Sequence, residues 1–267
     1  MKKSFKDQVV WITGASSGIG EALAYALSGQ GARLILSSRR EAELERVKNN
    51  CSYPGQVRIL PIDLLDAASL EAKVPAAIAL FGQIDIMVHN GGATQRSLVI
   101  ETNIDVHRQV MELNYFSYII LTKALLPHFI SRRCGHFVVT SSVMGKIGTP
   151  MRAAYAAAKH ALHGYFDCLR AEVSNDGIKV TILTPGYIST PIFQSAFTGD
   201  GQKFGGPSEE IDNGLPAEKA AEQIIKAIKK GAYESYVGRF TEERLALFVN
   251  RFLPGLLIRL MPGRVPK

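Results

Sequence analysis

Residues 9–20 read Val-Val-Trp-Ile-Thr-Gly-Ala-Ser-Ser-Gly-Ile-Gly, a short apolar run that leads into a glycine-rich turn. Residues 21–27, Glu-Ala-Leu-Ala-Tyr-Ala-Leu, then follow a helical pattern. Glycine permits a tight turn and close approach of a ligand, and the free N–H groups at a helix start attract phosphate. The stretch therefore predicts a strand, a phosphate site and a helix. Because its Gly-x-x-x-Gly-x-Gly spacing differs from the common dinucleotide-binding fingerprint, a plain tight turn is the alternative.

The rest of the chain repeats this alternation of apolar runs and helical patterns. Strands are predicted at residues 8–13, 33–37, 57–61, 84–89, 135–140, 178–184 and 234–237. Helices are predicted between them, at residues 19–30, 41–50, 67–81, 105–132, 151–174 and 216–231. Such alternation predicts an α/β fold of Rossmann type, a doubly wound parallel sheet of about seven strands with helices on both faces.

Composition agrees with one globular domain. A chain of 267 residues fits a single α/β domain, so residues 1–267 are predicted to form one. The three cysteines form no CxxC pair, which suits a reducing compartment, and we expect a cytoplasmic location. The six histidines lack the spacing of metal ligands, so no metal site is predicted.

The charge and hydropathy patterns argue against nucleic acid and against a membrane span. The net charge of +7 is moderate, and the basic residues are not interleaved with aromatic side chains. No stretch reaches the about 20 apolar residues of a membrane-spanning helix. The four apolar residues before Thr13 are also too few for a secretory signal, whose apolar region has about 7–15 residues.

Tyr155 and Lys159 stand four residues apart in a predicted helix, so they share one helix face. The ordinary pKa of tyrosine, about 10, is too high for proton transfer at neutral pH, and a neighbouring positive charge would lower it. The pair therefore indicates a general acid/base, and Ser142, thirteen residues upstream, could hold a substrate oxygen beside it. The alternative is a surface tyrosine and lysine on an alanine-rich helix.

Several motifs together make residues 5–240 resemble the short-chain dehydrogenase/reductase family. They occur in the order and spacing of that family: residues 13–20, His89-Asn90-Gly91-Gly92, Asn114, Ser141-Ser142, Tyr155-x-x-x-Lys159 and Pro185-Gly186. Residues 91–98 and 159–162 resemble the branch of dehydrogenase/reductase SDR family member 7. His89 departs from the family, which usually has asparagine there. We interpret it as a tolerated variant at a strand end, with a catalytic role as the alternative.

The resemblance implies roles for four residues at the reacting end of the site. Tyr155 would exchange a proton with the substrate oxygen, while Lys159 would lower the pKa of Tyr155 and hold the nicotinamide ribose. Ser142 would hydrogen-bond the substrate oxygen as charge develops on it, with Ser141 as the alternative. Asn114 would order a proton-relay water, or else bridge a helix bend.

The resemblance also implies a set of contacts with a dinucleotide cofactor. They come from the glycine-rich turn (Gly14, Ser16, Ser17, Gly18, Ile19 and Gly20), from the ends of the next strands (Ser38, Arg39, Arg40, Asp63, Leu64, Asn90 and Gly91), and from the nicotinamide end (Tyr155, Lys159, Pro185, Gly186, Ile188 and Thr190). Asp63 would lie beside the adenine, or alternatively cap the helix that starts near Ala67.

Residues 36–40, Leu-Ser-Ser-Arg-Arg, bear on which cofactor is used. Dehydrogenases selective for NAD typically offer a carboxylate to the ribose 2′-hydroxyl at this strand end. Here Ser38 takes that position, and the guanidinium of Arg39 suits a 2′-phosphate by charge and geometry. The sequence favours NADP(H) over NAD, unless Arg39 and Arg40 are only solvated side chains.

Two segments lie outside the regular pattern. Residues 189–215, the lid segment, are rich in Gly, Ser, Asp and Pro and follow a strand, which fits a cover over a ligand; a disordered surface loop is the alternative.

Residues 239–267, the tail, carry six Lys/Arg and two Asp/Glu between apolar runs. The tail could form a membrane-surface helix or pack over the substrate cleft or a neighbouring subunit. Packing is favoured because Pro254-Gly255 interrupts the helix.

These observations predict an NADP(H)-dependent carbonyl reductase or alcohol dehydrogenase, which acts on a small-molecule carbonyl or alcohol. The resemblance suggests a lipophilic substrate. A homodimer or homotetramer is expected. The alternative from a different class is a catalytically idle dinucleotide-binding protein that senses cofactor or scaffolds a partner.

Overall fold

The computed structural model describes residues 4–206, 213–239 and 242–260. Seven parallel strands of these residues form one sheet, in the order β3-β2-β1-β4-β5-β6-β9. The strands are β1 (Val9–Thr13), β2 (Arg33–Ser37), β3 (Val57–Ile59), β4 (Ile86–His89), β5 (Gly135–Thr140), β6 (Ile178–Pro185) and β9 (Glu234–Val237). A separate two-stranded pair consists of β7 (Ile188–Ser189) and β8 (Leu215–Pro216).

Helices connect the strands and cover both faces of the sheet. They are α1 (Gly18–Ser28), α2 (Glu41–Asn49), α3 (Ala67–Ala79), α4 (Ile104–Met111), α5 (Ser117–Arg132), α6 (Ala153–Glu172) and α7 (Ala217–Lys230). Two further helices lie in the tail, α8 (Glu242–Phe252) and α9 (Pro254–Leu260). None of the helices in the described ranges is long and apolar enough to cross a membrane.

The central strands are apolar throughout because both of their faces are covered. All residues of β1, β4 and β5 are buried. Successive side chains of a strand point to opposite faces, and β1 shows this directly. Val10 and Ile12 pack into a core with α1, α2 and α7, whereas Val9 and Trp11 pack into a second core with α3, α5 and α6. The predicted doubly wound sheet with helices on both faces is therefore confirmed.

The strand order places a crevice at the carboxyl ends of β1 and β4. From β1 the chain builds the sheet outward through β2 and β3, and it then returns to add β4 on the other side of β1. The connections that follow β1 and β4 thus diverge from two adjacent strand ends. In open α/β sheets, ligands bind in the crevice at such a point.

The helix predicted over residues 105–132 is interrupted by a π turn. Glu112–Phe116 form this turn between α4 and α5. Inside it, the Asn114 side-chain Nδ2 donates hydrogen bonds to the backbone oxygens of Ala93 and Val110, both at 2.9 Å. A π turn arises from such local hydrogen bonding and leaves the apolar helical periodicity almost intact, so the sequence pattern did not predict it.

The described part of the lid segment contains short elements. β7 lies at its start, a 3₁₀ turn forms at Pro191–Ser195, and β8 begins at its end. Phe197 joins the loop that follows β4 through bridges between its backbone and those of Thr94 and Arg96. Residues 207–212 of the lid segment lie outside the described residues, as do residues 240–241 and 261–267 of the tail.

Candidate active site

A cavity of about 1350 Å³ opens at the carboxyl end of the sheet. Its walls include all of the residues predicted for the site except Gly20: Gly14, Ser16, Ser17, Gly18, Ile19, Ser38, Arg39, Arg40, Asp63, Leu64, Asn90, Gly91, Asn114, Ser142, Tyr155, Lys159, Pro185, Gly186, Ile188 and Thr190. The structure therefore brings together residues that are up to 176 positions apart, from 14 to 190, around one cleft.

The glycine-rich turn crosses the loop after β4 at backbone contact distance. Gly14 has a φ of +66°, and a Cβ added to it would lie 2.6 Å from the Cα of Gly91. A Cβ on Gly20 would lie 2.8 Å from the side-chain nitrogen of Asn90. Gly20 thus acts in packing rather than in lining the cleft. Ser17 is the residue before α1, and its side chain makes no hydrogen bond to the first N–H groups of the helix. The turn therefore leaves these N–H groups available to a ligand in the cleft.

Thr13 joins the two loops and was missed by the sequence reasoning as a site residue. Its Oγ1 accepts hydrogen bonds from the backbone N–H groups of Asn90 and Gly91, at 3.0 and 3.2 Å. It donates one to the Val88 carbonyl, at 3.3 Å. The only available signal was its place as the first residue of the glycine-rich motif, since its partners are more than seventy positions away.

The two arginines after β2 have different surroundings. The Arg40 guanidinium donates to the hydroxyl oxygens of Ser16 and Ser17, at 3.1 and 3.3 Å, and so lies against the glycine-rich turn. Arg39 is exposed and lines the cleft. A cation at this strand end is thus available to a ligand in the cleft.

Asp63 does not cap α3, and that alternative is wrong. Helix α3 begins at Ala67, and the residue before it is Asp66. The Asp63 carboxylate instead accepts a hydrogen bond from the Leu65 N–H at 3.0 Å, while Asp63 lines the cleft. Its position agrees with the adenine-side contact that the resemblance implied.

His89 is fully buried at the end of β4, away from the cleft lining. Its Nε2 pairs with Thr122 Oγ1 at 2.8 Å, and its ring stacks on that of Tyr118 with centroids 4.9 Å apart. Burial lowers the pKa of His89 to about 3, so the ring is neutral at physiological pH. These contacts support the interpretation of a strand-end variant over a catalytic role.

Asn114 bridges the helix bend, one of the two roles that the sequence left open, and the water-ordering role stays a prediction. Its Nδ2 bridges the π turn, as described above, while its Oδ1 is buried and accepts no hydrogen bond from the described residues. A Cβ added to Gly92 would overlap this Oδ1 and would lie 3.8 Å from Lys159 Nζ. Glycine at position 92 therefore leaves room between the Asn114 oxygen and the Lys159 ammonium.

The two neighbouring serines are distinguished by their partners. Ser142 Oγ accepts a hydrogen bond from the Met144 N–H at 3.1 Å, lines the cleft and bonds to the Tyr155 hydroxyl. Ser141 Oγ donates to the Lys159 carbonyl at 3.1 Å and contacts His163 Nε2 at 3.0 Å, so its hydroxyl is engaged by α6. The geometry favours Ser142 as the serine beside the reacting atoms.

Tyr155 and Lys159 lie together on α6, and both are buried, with 8% and 3% of their surface exposed. Burial raises the pKa of Tyr155 to about 12, while the Ser142 hydrogen bond and the charge of Arg152 lower it in part. Lys159 Nζ donates to the Thr140 carbonyl at 2.8 Å and lies 5.6 Å from the Tyr155 ring centroid.

The predicted effect of Lys159 on Tyr155 is therefore corrected. Burial lowers the pKa of Lys159 to about 7, so this amine is not a fixed positive charge. Desolvation outweighs the lowering effects of Ser142 and Arg152, and the tyrosine pKa rises instead of falling. The sequence reasoning overlooked Arg152, whose spacing to Tyr155 was the available signal.

Residues 185–190, which the resemblance assigns to the nicotinamide end, form the other side of the cleft. A Cβ added to Gly18 would lie 3.0 Å from the Thr190 methyl group, so the segment after β6 lies directly against the glycine-rich turn. The Gly186 N–H donates to the Val237 carbonyl at 2.9 Å, which ties this segment to the edge strand β9. The turn, the β4 loop and residues 185–190 thus surround one elongated space.

A family model described as short chain dehydrogenase matches residues 8–201, which supply most of the residues that line this cleft. The chain belongs to the short-chain dehydrogenase family.

Named relatives support the same assignment over most of the chain. This short-chain dehydrogenase is 40% identical to a dehydrogenase/reductase SDR family protein 7-like of Drosophila melanogaster, over 97% of its own length and 81% of the relative's. It is 36% identical to dehydrogenase/reductase SDR family member 7B of Mus musculus, over 100% and 84%. Its identity to the human family member 7 is 47%, over 73% of this chain and 59% of that protein. The resemblance to this branch is confirmed.

Solved structures share the fold. A short-chain dehydrogenase from Streptomyces avermitilis aligns with a TM-score of 0.80 and 29% identity, covering 96% of both chains. A short chain dehydrogenase/reductase from Burkholderia phymatum in complex with NAD aligns with a TM-score of 0.82, covering 99% of this chain and 98% of that one. At 22% identity the second likeness shows the fold alone.

In this dehydrogenase the tail helices form part of the cleft wall. Leu245, Ala246, Val249 and Leu257 line the cavity. The Asn250 side chain donates to the Lys146 carbonyl at 2.9 Å, which fixes α8 to the loop after β5. The opposite side of the tail is apolar and exposed: Phe248 and Phe252 are 60% and 64% exposed, with ring centroids 4.8 Å apart. The expected packing over the cleft agrees with these contacts, whereas membrane contact stays a prediction.

The buried amine of Lys159 predicts a dependence of stability on pH. Its pKa is about 7 in the folded protein and about 10.5 in an unfolded chain, so between these values the unfolded chain binds more protons. The free energy of unfolding should therefore rise with pH from about 7 to 10.5. Lys159→Met should add on the order of 1–4 kcal/mol at pH 7, since each pKa unit is worth about 1.4 kcal/mol and the bond to Thr140 is lost.

Denaturant unfolding at several pH values measures this gain. The advantage of Lys159→Met should be largest at pH 7 and below, and should disappear towards pH 10.5. Lys123→Met, at an exposed position of α5, is the control for removing a lysine charge and should show no such trend. A gain that stays constant with pH would mean that Lys159 titrates normally.

Proposed function

We propose that the protein is an NADP(H)-dependent oxidoreductase that interconverts a carbonyl, ketone or aldehyde, and the corresponding alcohol by hydride transfer. The observation that carries this proposal is the convergence of Ser142, Tyr155, Lys159 and Asn114 in one cleft, which continues to the glycine-rich turn. Membership of the short-chain dehydrogenase family supports oxidoreductase chemistry.

The cleft fits a dinucleotide along its whole length. The N-terminus of α1 offers backbone N–H groups where a pyrophosphate would bind. Gly14 and Gly18 both have a positive φ, and the lack of a Cβ lets the turn pack directly against the β4 loop and Thr190, which shapes the cleft around the dinucleotide. When bound, the cofactor supplies the hydride, and the protein orients and polarises the substrate.

The preference for NADP(H) rests on the residues after β2. Ser38 stands where a carboxylate would repel a 2′-phosphate, and Arg39 lines the cleft beside it. Arg40 is already engaged by the hydroxyls of the turn, which leaves Arg39 as the more accessible cation. A guanidinium recognises phosphate through paired, charge-assisted hydrogen bonds. The enzyme from Burkholderia phymatum has the same fold in complex with NAD, so the proposed preference rests on the residues after β2 and not on the fold.

Tyr155 acts as the general acid in reduction and as the general base in oxidation. In reduction, its hydroxyl proton moves to the carbonyl oxygen of the substrate while carbon receives the hydride. Ser142 Oγ, which bonds the Tyr155 hydroxyl, donates a hydrogen bond to the same substrate oxygen as negative charge develops. Lys159 holds the ribose hydroxyls. Asn114 Oδ1, across the space at Gly92, orders the path by which the proton is replaced.

The walls of the substrate end indicate a lipophilic carbonyl compound. Apolar side chains from the loop after β5, the lid segment and the tail all line this end: Met144, Ile147, Phe193, Phe197, Leu245, Val249 and Leu257. Burial of an apolar substrate there removes its surface from water. The lid segment and the tail together act as its cover. We further propose a cytoplasmic homodimer or homotetramer.

The alternative of an idle dinucleotide-binding protein has less support. A protein that only sensed the cofactor would need the turn and the residues after β2, but not a serine beside a buried tyrosine at the far end. Here Ser142 and Tyr155 bond to each other beside an apolar compartment that the dinucleotide does not require.

Replacement of Tyr155 by phenylalanine tests the acid/base role. Tyr155→Phe keeps the ring but removes the proton, and should reduce kcat by roughly 10²–10⁴-fold while NADPH affinity stays nearly unchanged. Turnover of a carbonyl panel and fluorescence titration with NADPH measure the two effects. Tyr165→Phe, on the same helix but outside the cleft lining, is the matched control. Activity of Tyr155→Phe within tenfold of the parent would remove Tyr155 from this role.

The charge of Arg39 should set the cofactor preference. Arg39→Glu should weaken NADPH binding far more than NADH binding, because only NADPH carries the 2′-phosphate. A charged hydrogen bond is worth about 1.5–3 kcal/mol, so a loss of roughly tenfold or more is expected. Titration of Arg40→Gln with both cofactors is the comparison. If that variant loses the selectivity while Arg39→Glu keeps it, Arg40 holds the phosphate instead.

Two neighbouring residues of α9 distinguish cleft packing of the tail from membrane contact. Leu257 lines the cleft, whereas Ile258 is 69% exposed. If the tail is a cleft wall, Leu257→Asp should raise KM for a lipophilic ketone by about tenfold or more, the cost of a buried charge, and Ile258→Asp should not. If the tail binds membranes, the parent should co-sediment with anionic vesicles at low salt, and Ile258→Asp should abolish this. We expect the first result and no sedimentation.

A further inference from the structure

The residue before the helix that carries Tyr155 and Lys159 is a third polar residue, Arg152. It is the N-cap residue of α6 and stands three residues before Tyr155, while Lys159 follows four residues after the tyrosine. All three are buried, and all three line the cleft. The tyrosine is thus flanked along its helix by two basic side chains, one towards the sheet and one towards the substrate end.

The two basic side chains differ in whether they keep their charge. The pKa of Lys159 is lowered to about 7 by burial, so it is largely neutral in mildly alkaline solution. A guanidinium stays protonated at all pH values of interest. Arg152 is therefore the permanent charge beside Tyr155, and it lowers the tyrosine pKa against the effect of burial.

The position of Arg152 is determined by the loop after β4. Its Nη1 donates a hydrogen bond to the Gln95 carbonyl. The Gln95 side chain in turn accepts a hydrogen bond from the Ala154 N–H at 2.9 Å and donates to Thr102 Oγ1 at 3.0 Å. The start of α6 and the loop after β4 are thereby fastened to each other around the guanidinium.

The lid segment supplies the second support. The Arg152 guanidinium carbon lies 4.5 Å from the ring centroid of Phe193, in the 3₁₀ turn of the lid segment. A cation at this distance from an aromatic face is attracted by the ring. The guanidinium carbon of Arg96, in the loop after β4, lies 4.9 Å from the ring centroid of Phe204 and 5.9 Å from that of Phe193. Arg96 thus contacts the aromatic pair of Phe193 and Phe204 without being next to Tyr155 in the sequence.

We propose that Arg152 is a positioning residue of the proton-transfer step, a permanent positive charge that Gln95 and Phe193 hold beside Tyr155. The charge stabilises the phenolate that forms when Tyr155 gives its proton to the substrate oxygen. Because Phe193 belongs to the lid segment, the packing of that segment over the cleft controls how strongly the charge acts on the tyrosine. This inference rests on the proposed function of Tyr155 as general acid/base.

The other groups around Tyr155 do not supply this charge. Ser142 offers a neutral hydroxyl, and burial raises the pKa of Tyr118 on α5, so that phenol is neutral too. The hydrophobic side chains that cluster with the tyrosine from α4, the loop after β5 and the described part of the lid segment are Val106, Val110, Met144 and Phe197. Among the described residues, Arg152 is the cation whose charge lowers the pKa of Tyr155, whereas Lys159 deprotonates within the working pH range.

The pH profile of kcat/KM for alcohol oxidation tests the proposal, because oxidation requires the phenolate. In Arg152→Met the rise of activity with pH should move upward by about one pH unit or more, since an opposite charge at close range shifts a pKa by about 1–3 units. Arg152→Lys keeps the charge and should restore most of the parent profile. Arg96→Gln disturbs the same aromatic pair without a charge beside Tyr155, and its profile should match the parent's.

Phe193→Leu gives a second, milder perturbation, which keeps the proposal testable if Arg152→Met does not fold. It retains the guanidinium but removes the ring beneath it, so the profile should move in the same direction by a smaller amount. Unchanged profiles in Arg152→Met and Phe193→Leu, or a shift in Arg96→Gln equal to theirs, would overturn the proposal and leave Arg152 a structural residue. Failure of the parent to oxidise any alcohol is a different result, which would reject the proposed function itself.

Discussion

The close approach of two backbone segments at the centre of the sheet is the constraint on which the cleft depends. The turn after β1 and the loop after β4 come together so tightly that Gly14 and Gly91 have no room for a Cβ. Thr13 fixes the contact by accepting both N–H groups of the β4 loop. Because β1 and β4 are adjacent parallel strands, their carboxyl ends meet there, and the helix start at Gly18 faces the same space. The dinucleotide end of the site follows from this single crossing.

Burial, more than charge pairing, determines the acid–base properties of the reacting end. Tyr155 and Lys159 are removed from water together, and desolvation opposes the charged form of each. A phenol and an amine in this position are both close to neutral before ligands bind. The geometry around them then decides how charge can form, through the hydroxyl of Ser142 and the guanidinium of Arg152. A site of this kind gains its reactivity from preorganised dipoles and fixed charges, which need no rearrangement during proton transfer.

The substrate end is built by segments that contribute little to the sheet. The lid segment joins the loop after β4 through Phe197, and the tail joins the loop after β5 through Asn250. Each presents apolar side chains to the cleft, and the tail also exposes Phe248 and Phe252 on its outer side. Functional variety in α/β enzymes usually resides in such connecting segments, while the sheet supplies a constant frame. The matched family model ends at residue 201, so the whole tail lies beyond the part of the chain that it describes.

The sequence by itself determined the doubly wound fold and the positions of its strands, because apolar runs of buried parallel strands and glycine turns are local signals. It also placed Tyr155 and Lys159 on one helix face, since helical periodicity is a property of the backbone alone. Only the tertiary structure decided that the pKa of Tyr155 rises, that the Ser141 hydroxyl is engaged by α6 while Ser142 bonds to Tyr155, and that the charge of Arg152 acts on the tyrosine. Those outcomes depend on desolvation and on partners such as Gln95 and Phe193, which are distant in sequence. Burial of this kind is set by contacts between residues that are far apart in the sequence, and local sequence patterns do not reveal it.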